Sequence, residues 1–138
     1  MQVILGGAYN GKQQFVNEQL HNINQSAVFT FEGQLPKEMN FTHEQYVILG
    51  RFERLIVARF DEDELLVANE ICEAISKLAS QTNVICICTD MSRGIVPLDK
   101  SERFMRDCCG RIYQRLCLDA REVIRVWYGI PQIIKGES

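Results

Sequence analysis

This sequence has no long apolar runs. The longest, Val84 to Cys88, falls far short of the ~20 residues that a membrane-crossing helix requires. No basic leader precedes Met1-Gln2-Val3-Ile4-Leu5, so the chain is expected to be cytoplasmic and to have no membrane span. It also lacks a basic excess, since 15 Lys and Arg stand against 18 Asp and Glu, for a net charge of -3. That balance leaves little to neutralise a phosphate backbone, which argues against nucleic acid as a partner. With Gly 9 and Pro 3 in 138 residues, disordered and fibrous compositions are excluded. The six cysteines, Cys72, Cys86, Cys88, Cys108, Cys109 and Cys117, include no Cys-x-x-Cys pair, and His21 and His43 lie far from any of them. A zinc site is therefore not expected, and the thiols read as reduced, structural side chains that pack as small apolar groups.

A hydrophobic content of 46% over 138 residues suits one ordinary domain with one core, spanning residues 1-138. Strand-like runs at Gln2 to Leu5, Ser26 to Phe31, Tyr46 to Leu49, Asn83 to Thr89 and Val123 to Tyr128 alternate with helical patterns at Gln13 to Leu20, Asp63 to Leu78 and Lys100 to about Cys117. In the second helix Leu66, Ile71, Ala74, Ile75 and Leu78 define the apolar stripe, and Asp99 with Glu102 forms a capping box for the third. Phe52 to Phe60 fits neither period, and Gly33 to Thr42, with Pro36, reads as an exposed loop. Gly129-Ile130-Pro131 turns the chain into a short last strand, Gln132 to Lys135, antiparallel at an edge. The expected fold is a three-layer α/β domain with a mostly parallel sheet and an antiparallel edge strand.

Gly6-Gly7-Ala8-Tyr9-Asn10-Gly11-Lys12 has the spacing of a Walker A loop and the context that motif requires, after a strand and opening a helix. Its amides and the helix N-terminus suit phosphate oxygens, with Lys12 adding a point charge; the bland reading is a glycine-rich turn with a surface lysine. Gln13 stands where magnesium coordination calls for a Ser or Thr hydroxyl, and Gly50 ends the third strand where a second, acidic anchor is expected. Asp90 and Glu32 also close strands and are the candidate substitutes, unless both are simply solvated carboxylates. The sites expected are thus Gly6, Gly7, Ala8, Tyr9, Asn10, Gly11, Lys12 and Gln13 for nucleotide, with Lys12 catalytic, and no metal site is assigned.

The C-terminal half adds Gly94-Ile95-Val96-Pro97, Arg103, Arg106-Asp107, Gly110-Arg111, Gln114, Leu116, Glu122-Val123, Val126, Gly129-Ile130-Pro131 and Lys135. With the N-terminal loop, this series resembles the adenosylcobinamide kinase / adenosylcobinamide-phosphate guanylyltransferase family of cobalamin biosynthesis. The resemblance implies a P-loop NTPase-like fold, ATP or GTP as substrate with magnesium unsettled, a corrinoid acceptor (adenosylcobinamide), and a homo-oligomer, the family being a trimer. Met105 and Tyr113 replace the family's Phe and Asn, and the family's longer insertion after the second strand carries a helix whose histidine takes GMP. Here Gly33 to Glu44 replaces that insertion, so the nucleophile role is not carried over to His43, and loss of guanylyl transfer is expected. The alternative is a catalytically inactive nucleotide-binding or assembly module of the same fold.

Overall fold

The structure, a computed structural model, describes residues 1–8, 11–38, 40–90 and 99–136. Among them are the strands β1 (Gln2–Gly7), β2 (Val28–Glu32), β3 (Tyr46–Gly50), β4 (Asn83–Asp90), β5 (Glu122–Trp127) and β6 (Ile130–Lys135). The helices are α1 (Lys12–Gln19), α2 (Phe52–Ile56), α3 (Glu64–Ala79) and α4 (Lys100–Asp119). The strands form one sheet in the order β2-β3-β4-β1-β5-β6. Every pairing is parallel except β5 with β6, which is antiparallel and lies at the edge, as expected from the sequence.

Right-handed crossovers fix which helix covers which face. From β1 the chain moves across the sheet to β2, whereas from β3 to β4 and from β4 to β5 it moves the opposite way. Helix α1 therefore lies on one face and α2, α3 and α4 lie on the other. Strand alternation records the same division. Val3, Val47, Leu49, Val84, Cys86, Cys88 and Val123 pack under α2, α3 and α4, while Ile4, Ile48, Ile85, Ile124 and Val126 pack under Val16 and Leu20 of α1.

Aspartates cap α3 and α4, the second as its residue type predicted. Asp63 accepts from the amides of Leu65 and Leu66, and Asp99 accepts from the Glu102 amide at 2.8 Å. The buried stripe of α3 begins later than its periodicity suggested: Leu66 is 68% exposed, and Val67 and Ala68 go inward instead. On α4, Phe104, Cys108, Ile112 and Leu116 are buried as one face. Its arginines pair at the surface, Arg111 with Glu64 and Arg106 with Asp107. The ambiguous stretch after β3 is α2 followed by a 3-10 turn at Val57–Arg59.

One expectation is corrected. The connector after β2 is not simply an exposed loop: Pro36 is buried, and Leu35 and Phe41 pack on the main core. The Phe41 ring meets those of Phe29 and Phe31 edge-on at 5.2 and 6.3 Å. Strand β2 is at the sheet edge, so its Phe29 and Phe31 need cover that the helices do not supply.

Five of the six thiols are buried. Burial pushes Cys72 and Cys108 up to about 11 and Cys109 up to about 12, with Cys86 and Cys88 also raised. These groups stay protonated in the fold while the same thiols of an unfolded chain ionise from about pH 9, so the folded state binds more protons above that point. Denaturant titrations in reductant should show full stability below pH 9 and a loss on the order of 1 kcal/mol per buried thiol by pH 10. A flat profile from pH 8 to 10 would contradict this.

A second expectation concerns the packing of β1 on β5. A Cβ on Gly6 would stand 2.6 Å from the Val126 carbonyl oxygen, whereas one on Gly50 would meet only Ile87 Cβ at 4.0 Å. Gly6→Ala should cost about 1–3 kcal/mol in urea unfolding. Gly50→Ala should be neutral or stabilising by up to ~1 kcal/mol. Equal losses in the two variants would contradict the packing account.

Candidate functional site

The strands β1, β3 and β4 end together at one edge of the sheet, and the crossover from β1 runs one way across it while that from neighbouring β4 runs the other, a switch point where α/β folds place their ligands. A cleft of about 800 Å³ opens there on the α1 face. Helix α1 is short, and Thr30 and Ile87, with the buried Ile48 between them, line the cleft together with Lys12, Gln13, Gly50, Arg51 and Asp90. A second cleft, of about 680 Å³, lies at the opposite end of the strands around Met1, Gln2 and Arg121.

The strand runs into the loop as the Walker spacing requires. Gly11 takes φ 87, a left-handed conformation that favours glycine, and caps the N-terminus of α1. Its carbonyl accepts the Phe15 amide at 2.9 Å. A Cβ at Gly11 would also come within 3.2 Å of Gly129 Cα, so the loop abuts the turn between β5 and β6. Tyr9 and Asn10 lie outside the described residues, as does the Gly94 to Pro97 motif.

Lys12 is not a surface lysine. It is only 6% exposed, its stem lies over Gly6, and its Nζ donates to the Gly7 carbonyl at 2.5 Å. Loss of water around the ammonium holds its pKa below the ordinary lysine value, an effect partly opposed by Cys88. An anion arriving at the loop would therefore meet a desolvated cation whose partner among the described residues is a neutral carbonyl.

The positions of the expected magnesium ligands are less suitable. The Gln13 amide donates to Asn17 Oδ1 at 3.1 Å, along the outside of α1. Gly50 offers no ligand, although a side chain there would enter the cleft unobstructed. Glu32 pairs in register with Gly50 on the outermost strand, three places from β1. Asp90 pairs with Gly7 and so stands on the strand next to the loop. Among the described residues no three His, Cys, Asp or Glu side chains cluster in a way that could hold a metal. The residues present do not fit a magnesium site built from Gln13 and position 50.

His43 and His21 are both exposed and both lie at the other end of the molecule. His43 stands three positions before the start of β3, and its carbonyl is held by the Asn83 side chain at the start of β4. His21 follows the C-terminus of α1, with Nδ1 2.7 Å from the Glu18 carbonyl. The length of a strand separates each from the loop.

Two residues at this edge were missed by the sequence reading. Arg51 and Tyr128 are the only non-glycine residues with positive φ among the described residues, at 56 and 49. Arg51 lies in the cleft at the junction of β3 and α2, and Tyr128 is in the β5–β6 turn. No composition or period marks a left-handed arginine or tyrosine; the only cue for Tyr128 is the glycine after it.

No helix among the described residues is long and apolar enough to cross a membrane. A comparison with curated proteins returns no match. The profile of the family described as cobinamide kinase / cobinamide phosphate guanyltransferase matches residues 37–134. That segment holds β3 to β6 and all three helices of one face; the loop from Gly6 to Gln13 lies before it. The mostly parallel sheet with its antiparallel edge agrees with the P-loop NTPase-like fold of that family, and the chain belongs to the cobinamide kinase / cobinamide phosphate guanyltransferase family.

Proposed function

We propose that residues 6 to 13 hold the phosphates of ATP or GTP and that the chain directs the terminal phosphoryl group toward the hydroxyl of adenosylcobinamide. The observation that carries this reading is Lys12, a desolvated ammonium at the start of α1 whose Nζ, among the described residues, hydrogen-bonds to the loop's own Gly7 carbonyl. Phosphate oxygens would replace that carbonyl and bring more charge to the same donor. The helix N-terminus and the loop amides add fixed partial charges that need no rearrangement when negative charge develops. Arg51, across the cleft, can supply a second positive charge on the acceptor side.

A second reading is favoured by Gln13 and Gly50: a module that binds nucleotide without turning it over. Both positions that would anchor magnesium are changed, and Gln13 is engaged with Asn17. Formation of adenosylcobinamide phosphate from ATP or GTP separates the two readings. Restoring Ser at position 13 alone leaves position 50 without an acid, so Gln13→Ser by itself is not expected to raise turnover.

Calorimetric titration of ATP and of GTP, with and without magnesium, tests the binding step shared by both readings. Lys12→Met keeps the apolar stem and removes the charge. It should leave stability within about 1 kcal/mol, because a desolvated charge is lost together with one hydrogen bond, and weaken nucleotide binding at least tenfold. Undetectable binding in the wild type, or equal binding in the variant, would reduce the loop to a turn.

Guanylyl transfer through histidine is proposed to be absent. A nucleophile must be held near its target, and positioning of that kind is worth up to ~7–11 kcal/mol. His43 and His21 lie at the far end of the strands from the loop. Incubation with GTP labelled at the α-phosphate, followed by denaturing electrophoresis and mass spectrometry, should find no GMP on either side chain. Covalent GMP on His43 would contradict the placement.

A further inference from the structure

Between β5 and β6 the chain turns through Tyr128 and Gly129, both left-handed, at φ 49 and 77. A two-residue turn of this hand matches the twist of a β-hairpin and is ordinarily made by Asn-Gly or Gly-Gly. Tyrosine has no conformational reason to be there, and backbone strain of this kind collects where a site needs the side chain. The Tyr128 side chain adds no core contact that would repay the strain, since the residue is 76% exposed.

Its surroundings are ordered. The Tyr128 ring lies edge-on to Trp127 with centroids 5.6 Å apart, and the Arg125 guanidinium sits 4.7 Å from the centre of the Trp127 ring. Trp127 is therefore braced from the strand, and its neighbour presents an aromatic surface to solvent. The next residue, Gly129, abuts Gly11 of the phosphate loop.

A nucleotide has two ends, and the sheet order assigns them. The acceptor cleft lies over β2, β3 and β4, on one side of β1, so the terminal phosphate must face that way. The rest of the nucleotide then extends toward β5 and β6. The β5–β6 turn is one to two strand spacings from β1, about 5–10 Å, which is within the span of a nucleoside triphosphate. We infer that Tyr128 is the platform on which the base of the bound nucleoside triphosphate stacks, an inference that rests on the phosphate-site reading of the loop. Stacking accepts any base face, so this contact supplies affinity and leaves discrimination between adenine and guanine to other groups.

The chain's one tryptophan is Trp127, so its fluorescence reports on the turn during titration. Three ligands separate the parts of the site: ATP, GTP and inorganic tripolyphosphate, which has phosphates and no base. Tyr128→Asn replaces the ring with a residue suited to the left-handed turn, so the fold should be as stable as the wild type or more so. This variant should lose about five- to a hundredfold in affinity for ATP and GTP, the range measured for base–aromatic stacking, and keep its affinity for tripolyphosphate. Tyr128→Phe should bind nucleotide like the wild type. If Tyr128→Asn binds ATP and GTP undiminished, or loses tripolyphosphate equally, the platform is wrong while the phosphate site stands. If the wild type binds neither tripolyphosphate nor nucleotide, the phosphate-site reading fails and this inference fails with it.

Discussion

The ammonium of Lys12 must be satisfied inside the fold, and the carboxyl edge of the sheet is arranged around that requirement. The lysine stem crosses Gly6, which has no side chain because the Val126 carbonyl of the next strand already fills the space. Its Nζ reaches back to Gly7, and Gly11 turns left-handed so that α1 can begin one residue later. Add a side chain at Gly6 and the stem and β5 must move apart; remove the turn at Gly11 and Lys12 no longer starts a helix. A buried cation held by a neutral carbonyl is costly, and proteins keep such groups where a ligand completes them.

Most of the fold could be read from the sequence because both of its periods are strong. The β-branched run Val84 to Cys88 and the spacing of Phe104, Cys108, Ile112 and Leu116 stand out, and Asp99 is a cap by side-chain chemistry. The failures are local and have physical causes. Leu65 and Leu66 are apolar yet face solvent in the first turn of α3, where Val67 and Ala68 take the inward positions, so periodicity placed the start of the stripe too early. The connector after β2 has no period, but its Pro36 is buried and its Phe41 half-buried by the need to cover an edge strand, a tertiary demand that no local pattern reveals.

The site was partly readable for the same reason. A glycine spacing between a strand and a helix names the loop, and Gln13 and Gly50 stand out by residue type. Strand order is not written in any local pattern, and it is strand order that puts β4 between β1 and β3, bringing Asp90 beside Gly7 and leaving Glu32 on the outer strand. Left-handed φ at Arg51 and Tyr128 is likewise decided by the junctions they occupy. Family membership rests on residues 37–134, and the proposal for the loop from Gly6 to Gln13 rests on that loop's own geometry.

The central claim is that phosphates bind at the Lys12 end of the sheet. Amide chemical-shift mapping during titration with ATP tests it most directly, because the loop's own N–H groups are the proposed ligands. The account predicts the largest shifts at Gly7, Gly11, Lys12 and Gln13, saturating together. Shifts confined to Gln2, Gln19 and Glu122, around the cleft at the opposite end of the strands, would contradict it, as would no shifts at all.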